Sequence, residues 1–225
     1  PTMLRFFREG IDLHRATAAY LVACGERGHV VPIGEFMAEL DAWIAAVSKE
    51  QRQSAKGGNF GLVYGMQEDK LRDYARSNYG VIMTPEESRA MHRGYFALYS
   101  AIPAWHERSM ENAQRLGYTE TPFGRRRTFD PTDVHAAINT PVQSTASDFA
   151  LLAMSAVARR YSQENVDAVV IGFVHDSILV EASEQHAELA TAMLKHEMEN
   201  VDTSVFGFTL PIPLPADTKI GETWA

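Results

Sequence analysis

The sequence RQSAKGGNFGLVYG at residues 52–65 carries the strongest pattern in this chain. Its charged and aromatic residues are spaced four apart, at Arg52, Lys56, Phe60 and Tyr64. On a helix this spacing drifts by roughly 40° per step, so two cations and two aromatic rings share one face. Such a face suits a nucleoside triphosphate, with cations on the phosphates and a ring against sugar and base. The spacing therefore predicts a helix with a nucleotide-binding side.

Three glycines, Gly57, Gly58 and Gly61, lie within the same stretch. Each costs a helix interior about 1 kcal/mol relative to alanine, which indicates that something packs close to the backbone there. A glycine-rich loop between helices, carrying an ordinary pair of cations, fits the spacing equally well. Spacing alone leaves both interpretations open.

The stretch resembles the fingers-helix motif of family A DNA polymerases, in which Arg, Lys, Asn-Phe-Gly and Tyr-Gly follow in this order. The resemblance implies that Arg52 and Lys56 hold the triphosphate of a dNTP, and that Lys56 is a catalytic proton donor to the departing pyrophosphate. It implies that Phe60 stacks on the nucleotide, that Gly61 also belongs to the nucleotide-binding set, and that Tyr64 lies beside the nascent base pair. Phenylalanine at position 60 implies discrimination against dideoxynucleotides.

Two side-chain amides lie one helical turn apart, at Asn139 and Gln143. Amide donors in the minor groove can test base-pair geometry without reading sequence, because every base pair offers acceptors there. The string INTPVQSTASD at residues 138–148 resembles the family's Asn-x-Pro-x-Gln motif, which implies that both amides contact DNA. Without that resemblance, Asn139 is an N-cap and Gln143 a surface residue. TPFGRRR at residues 121–127 resembles the family's palm turn and implies a DNA contact for Arg125.

A predicted hairpin joins two runs rich in Val and Ile, 168–174 and 178–182, through His175-Asp176-Ser177. Carboxylate oxygen is a ligand that Mg²⁺ prefers, and a tight turn holds it rigidly. The tip resembles the family's third palm motif, His-Asp-Glu, which implies that Asp176 is a catalytic metal ligand and that His175 contacts the primer strand. Taken alone, a turn acid beside a satisfied histidine is the simpler interpretation.

Family A chemistry uses two Mg²⁺ ions bridged by two aspartates. The first belongs to a strand that would precede Pro1, and Asp12 and Asp41 lie on predicted helices instead. We therefore expect the C-terminal part of a longer or split polymerase, inactive alone, whose partners are DNA primer-template, dNTP and the missing N-terminal polymerase part. Smaller departures are Ser177 for glutamate, Ser144 for glycine and His135 for arginine.

The remaining patterns predict an α+β fold, mostly helical with a small antiparallel sheet. Residues 7–18 and 221–224 add weaker family matches. The resemblance implies a palm/fingers junction helix at 1–25, fingers at 26–103 and palm at 104–225. Helices are expected at 11–24, 35–47, 52–65, 84–99, 105–115, 136–161 and 187–200, with a loop at 25–34 and two short extended pieces at 118–125. The connection at 25–47 is longer than the family's usual one, which indicates either an inserted helix on the fingers side or an elaborated loop.

Composition sets further bounds on the chain. Its 225 residues, 45% hydrophobic, are enough for a substantial core. The single cysteine, Cys24, excludes an internal disulfide and favours a reducing, cytoplasmic setting and a core-filling role. No apolar run approaches the ~20 residues that a membrane span needs. The net charge of −8 argues mildly against a free-standing nucleic-acid binder, although the arginines at 125–127 and 159–160 are local exceptions.

Two alternatives to template-directed DNA synthesis remain. One is a non-catalytic nucleic-acid-binding or assembly subunit that kept the polymerase surface, which the intact stripe together with Asp176 disfavours. The other is a single-subunit RNA polymerase, suggested by Ser177 but opposed by the DNA-polymerase-like string at residues 59–61. Zinc chemistry is disfavoured because the eight histidines lack paired-ligand spacing.

Overall fold

The computed structural model describes residues 2–130 and 136–223. Within them the chain folds into ten α-helices, four strands and a short 3-10 helix, Ser204–Phe206. The helices are α1 Thr2–Arg8, α2 Leu13–Arg27, α3 Ile33–Ala38, α4 Leu40–Ala46, α5 Lys49–Val63, α6 Glu68–Tyr79, α7 Pro85–Leu98, α8 Ile102–Leu116, α9 Ala136–Gln163 and α10 Ala187–Glu199, and the strands are β1 Tyr118–Glu120, β2 Arg126–Thr128, β3 Ala168–Val174 and β4 Ser177–Ala182.

The α+β class predicted from the sequence is confirmed. Two separate two-stranded antiparallel sheets occur in the described residues, β1 with β2 and β3 with β4. The chain divides into two compact units, the first comprising 1–117 and 130–138, the second 118–129 and 139–225.

The first unit is helical and packs around α2, α5 and α7. Tyr20, Leu62 and Tyr95, one from each of these helices, are almost completely buried in its core. Local sequence fixes where two of the helices begin, because Ser48 and Thr84 each form a capping box with the residue three positions on. The start predicted at Thr84 is therefore confirmed, together with Pro85 in the first turn.

Several predicted boundaries need correction. The single helix expected at 35–47 is two helices, because the backbone departs from helical geometry at Glu39 (φ −114°, ψ 13°). The loop expected at 25–34 starts later, since α2 continues through Gly25 to Arg27 and is capped by Gly28, which adopts φ +71°. Asp12 is the N-cap of α2 and not a residue of its first turn. Pro141 lies inside α9, where it lacks the amide that would bond the preceding turn.

The glycines of α5 allow its neighbours to approach closely. A β-carbon on Gly57 would lie 3.2 Å from Cδ2 of Tyr79 at the end of α6, and one on Gly58 would overlap the sulfur of Met91 on α7. The close packing predicted from these glycines is confirmed, and the groups that approach are side chains of adjacent helices.

In the second unit, the β3–β4 hairpin packs against α9 and α10. One face of the hairpin packs on a cluster that includes Val157, Tyr161 and Met193. Its other face leaves Val169 and Ile171 57% and 58% exposed. In the same unit, the ring of Phe123 contacts three further aromatic rings, those of Phe149, Phe206 and Phe208.

Cys24 is half-buried against the core of the first unit, as expected for a core filler, and its sulfur accepts a hydrogen bond from the Val31 amide. None of the described helices combines the length and the apolar character needed to cross a membrane. His135 and Trp224, both of which entered the sequence-based predictions, lie outside the described residues.

Candidate functional site

Helix α5 carries the predicted stripe. Arg52, Lys56 and Phe60 lie on α5 at intervals of four residues, and Tyr64 is its C-cap. The two cations are half-buried, while the Phe60 side chain is 41% exposed. The stripe is therefore one accessible helical face in the first unit, and the glycine-rich loop alternative is wrong.

Arg52 is held by an ion pair to Asp12. Its guanidinium contacts Oδ2 of Asp12 through NH2 at 2.7 Å and through Nε at 2.8 Å. Oδ1 of the same carboxylate accepts the Arg15 amide at 2.9 Å, which caps α2. Burial opposes the charged carboxylate, but the Arg15 amide and the Arg52 guanidinium outweigh it and lower the pKa of Asp12. Asp12 therefore stays ionised and orients Arg52 near neutral pH.

His14 joins this face through contacts that the sequence analysis did not identify. Nδ2 of Asn59 lies 2.8 Å from Nδ1 of His14, and the His14 ring lies 5.6 Å from the Phe60 ring. Burial is the main cause that lowers the pKa of His14; the charges of Arg52 and Lys56 act in the same direction, and the Asp12 carboxylate opposes them. His14 is therefore a neutral imidazole at pH 7, beside the two cations of the stripe.

Phe60 is one of a row of rings. The rings of Phe60 and Tyr79 are nearly parallel, 10° apart in orientation with centroids separated by 6.5 Å, and Tyr74 meets Tyr79 edge-on at 5.8 Å. Burial, together with the Tyr74 hydroxyl, raises the pKa of Tyr79 to about 12, so that phenol stays neutral. Gly57 leaves the space that the Tyr79 ring occupies.

Gly61, although it was included in the predicted nucleotide-binding set, does not lie on the exposed face. It is buried, and a β-carbon there would lie 3.1 Å from Cδ1 of Leu71 and from the sulfur of Met66. Its position supports packing of α5 on α6. At the end of α5, Nε2 of His106 donates to the Val63 carbonyl at 2.8 Å, which fixes the turn that follows Tyr64.

Asp176 lies in the second unit, in the two-residue connection between Val174 and Ser177 of the hairpin. Both His175 and Asp176 are exposed. His175 adopts φ +58°, a conformation that residues other than glycine rarely hold. The carboxylate of Asp176 is of the type that binds Mg²⁺ and offers one such ligand. The described part of the chain contains no group of three or more His, Cys, Asp or Glu that could hold a metal ion.

The predicted DNA-contacting amides lie on α9. Asn139 and Gln143 are both exposed and one turn apart, and Asn139 is a helical residue and not an N-cap. Arg125 pairs with the buried carboxylate of Asp148, at 2.5 Å from NH2 and 2.7 Å from Nε, while half of its side chain remains exposed. Thr121 donates to the other oxygen of Asp148 at 3.1 Å. Arg125 therefore stabilises the turn before β2 while its side chain remains half exposed.

The amino-acid sequence is similar to those of known DNA polymerases. The family described as DNA polymerase family A matches residues 36–225. The chain is 29% identical to DNA polymerase I of Aquifex aeolicus over 226 residues, covering 100% of this chain and 35% of that protein. It is 31% identical to the thermostable DNA polymerase I of Thermus aquaticus over 232 residues, covering 99% of this chain and 24% of that protein. It is 32% identical to DNA polymerase I of Pseudomonas aeruginosa over 234 residues, covering 99% of this chain and 22% of that protein.

A solved structure has a similar fold. It is described as the POL domain of Pol1 from M. smegmatis in complex with DNA primer-template and dNTP, and it aligns with a TM-score of 0.73 at 24% identity. The alignment covers 94% of this chain and 34% of that one. The chain thus spans about a third or less of the length of these relatives.

Proposed function

We propose, because this chain belongs to DNA polymerase family A, that it forms the fingers and palm portion of an enzyme that performs template-directed DNA synthesis. The observation that carries the proposal is the face of α5, on which Arg52, Lys56 and Phe60 lie beside His14. The fingers correspond to residues 26–103, and the palm to 104–225. Because the chain spans only 22–35% of its relatives' lengths, it acts as part of a longer or split polymerase.

On this proposal, the α5 face binds the incoming dNTP. Arg52 and Lys56 contact the triphosphate, since guanidinium and ammonium groups form charge-assisted hydrogen bonds with phosphate oxygens. Nε2 of His14 supplies a third donor beside them. Phe60 stacks on the nucleotide, Tyr64 lies by the new base pair, and Gly61 supports the face by packing.

The reaction is nucleotidyl transfer. The primer 3′ oxygen releases its proton to solvent water and forms a bond to the α-phosphorus of the dNTP, and the bond from that phosphorus to the α,β-bridging oxygen breaks. Pyrophosphate leaves and takes a proton from the ammonium of Lys56. Asp176 would hold Mg²⁺, which neutralises charge on the phosphates. The second carboxylate of a two-ion site would come from the remainder of the polymerase.

The palm portion contacts the primer-template. Asn139 and Gln143, exposed one turn apart on α9, donate to minor-groove acceptors that all base pairs share. The exposed part of Arg125 contacts the DNA backbone, and His175 contacts the primer strand. These assignments predict binding that depends weakly on DNA sequence.

Titration calorimetry with dGTP and Mg²⁺ tests the nucleotide site in the 225-residue chain. Lys56→Ala and Arg52→Ala are each expected to weaken binding about tenfold or more, because each removes a hydrogen bond to a charged group. The matched control is Lys70→Ala, because Lys70 is an exposed lysine on α6. Equal affinity of Lys56→Ala and Lys70→Ala would remove the support for the proposal.

Primer extension tests the remaining part of the function. The chain alone, with primer-template, four dNTPs and Mg²⁺, is expected to extend no primer, since it supplies one of two bridging carboxylates. In the polymerase that includes it, Asp176→Asn is expected to abolish extension while dGTP binding by the α5 face persists. Extension by the isolated chain would refute the split-site proposal. If neither Asp176→Asn nor Lys56→Ala changed the affinity for nucleic acid, the result would favour a non-catalytic assembly subunit.

A further inference from the structure

Asn59 differs from the other polar residues of α5 because it is buried. Its side chain is only 5% exposed, and it directly precedes Phe60. Nδ2 lies 2.8 Å from Nδ1 of His14, whereas Oδ1 is buried without a hydrogen-bond partner among the described residues. A buried amide with one end on a histidine ring and the other end unsatisfied calls for an explanation.

The chemistry of the two groups fixes the proton on the ring. The amide nitrogen of Asn59 can only donate, so Nδ1 of His14 must accept with its lone pair. A neutral imidazole carries one N–H, which is then on Nε2, the nitrogen directed away from Asn59. The reversed amide would give the opposite tautomer and would bury two N–H donors where Oδ1 now lies, and unsatisfied buried N–H groups are rarer than unsatisfied carbonyls.

We infer that Asn59 is a positioning residue that keeps the proton of His14 on Nε2, so that this nitrogen can donate a hydrogen bond to a phosphate oxygen of the nucleoside triphosphate. The inference rests on the proposed function, because it needs the α5 face to bind phosphate. The charged groups around the ring are Asp12, Arg52 and Lys56. A neutral ring with the wrong tautomer would turn a lone pair toward the phosphates and repel them.

The tautomer is tested without any nucleotide. Histidines of the 225-residue chain are labelled with ¹⁵N, and the His14 signals are assigned by their loss in His14→Gln. At pH 7.5 the wild-type ring is expected to show an unprotonated Nδ1 and a protonated Nε2. In Asn59→Asp the carboxylate can only accept, so Nδ1 is expected to become protonated. A protonated Nδ1 in the wild-type chain, or unchanged signals in Asn59→Asp, would overturn the inference.

The consequence for binding is tested with inorganic tripolyphosphate by calorimetry between pH 6 and pH 9. In Asn59→Asp the added carboxylate favours the doubly protonated ring at the acid end of this range, where His14 keeps its Nε2 donor, whereas at pH 9 the neutral ring holds its only proton on Nδ1. The ratio of wild-type to variant affinity is therefore expected to rise about tenfold across this range, as for the loss of one hydrogen bond to a charged group. A ratio independent of pH would indicate a purely structural role and overturn the inference.

Two controls separate this inference from the proposed function. Asn112→Asp adds the same charge at an exposed position on α8 and is expected to leave both the His14 signals and the pH profile unchanged. Lys56→Ala reports on the phosphate site itself. If Lys56→Ala weakens tripolyphosphate binding while the Asn59 tests fail, the inference alone is wrong; if Lys56→Ala has no effect, the proposed function fails as well.

Discussion

Asp12 serves two purposes at once, because one of its carboxylate oxygens caps α2 and the other pairs with Arg52. The ion pair orients Arg52 in the absence of nucleotide. It also places a negative charge beside the proposed triphosphate, where that charge competes with phosphate for the same guanidinium. Stability and nucleotide affinity are therefore opposed at this residue.

We predict that Asp12→Asn lowers the free energy of unfolding by up to about 1 kcal/mol at pH 7, since asparagine caps equally well but loses the partly exposed ion pair. The folded-state pKa of Asp12 is lowered, so its contribution is present above the ordinary pKa of 3.8 and is lost as the pH falls through the lowered value. Urea unfolding at pH 7 and pH 3 measures this. The same variant should bind tripolyphosphate severalfold more tightly, and weaker binding would contradict the competition.

His175 holds a left-handed backbone conformation at the hairpin tip, beside Asp176. For a residue with a β-carbon this conformation costs about 1–2 kcal/mol. We predict that His175→Gly raises the free energy of unfolding by about 1 kcal/mol and reduces primer extension by the polymerase that includes the chain. Asn165→Gly is the matched control, because Asn165 also has positive φ but asparagine tolerates it better. A destabilised His175→Gly would show that contacts of the side chain outweigh the strain.

At the residue scale, the sequence predicts the stripe of the site but not the groups that support it. Arg52, Lys56 and Phe60 follow from a local spacing of four. His14 and Asn59 are 45 positions apart, and their contact depends on the packing of α2 against α5. The amides of Asn59 and Asn139 have the same chemistry, and only burial separates their roles.

At the scale of helices, the glycines are of two kinds. Some lie against a neighbouring side chain that leaves no room for a β-carbon, and others have open space there. Gly25 lies inside α2 with nothing near its missing β-carbon, whereas Gly58 on α5 faces the Met91 side chain. Alanine favours a helix over glycine by about 1 kcal/mol when space allows.

We predict that Gly25→Ala raises the free energy of unfolding by about 0.5–1 kcal/mol, and that Gly58→Ala lowers it or leaves it unchanged because Met91 must move. Thermal unfolding of the two variants side by side measures the difference. Equal stabilisation by both would show that α7 does not constrain α5.

Helix ends with sequence-specific caps are the elements best predicted from the sequence. The capping box of Thr84 and Glu87 marks the start of α7 correctly, because that signal is local. Helix α6 is not predicted by the sequence pattern, because its many charged residues leave only a narrow apolar stripe at Leu71 and Ala75. The break at Glu39 was also missed, since the apolar period continues through it.

At the scale of the whole molecule, the two faces of the β3–β4 hairpin have different surroundings. Val170 packs on the cluster of α9 and α10, while its neighbours Val169 and Ile171 are more than half exposed. Exposed apolar residues on a strand favour association with another surface.

We predict that Ile171→Thr reduces concentration-dependent self-association of the isolated chain with little loss of stability. Val170→Thr, the matched control on the opposite face, should lower the free energy of unfolding by about 1–2 kcal/mol because it buries a hydroxyl. Light scattering and urea unfolding measure the two effects. Unchanged self-association in Ile171→Thr would contradict the prediction.

The division into two compact units could not be predicted from the sequence. The first unit includes residues 130–138 and the second includes 118–129, so the chain passes between them more than once. The family resemblance implies fingers and palm segments that are each continuous in sequence. In the structure, α8 and the first residues of α9 both belong to the first unit. This grouping depends on contacts between residues far apart in the sequence, which no local pattern predicts.

The close approach of helices through glycine also constrains how this protein can evolve. Gly58 is opposed by Met91, and a β-carbon on Gly94 would lie 2.5 Å from Cδ2 of Leu21. A larger residue at either glycine becomes acceptable only after its partner shortens or turns aside, so the order of mutations matters. Descendants of this sequence should therefore change positions 58 and 91, and positions 94 and 21, as linked pairs.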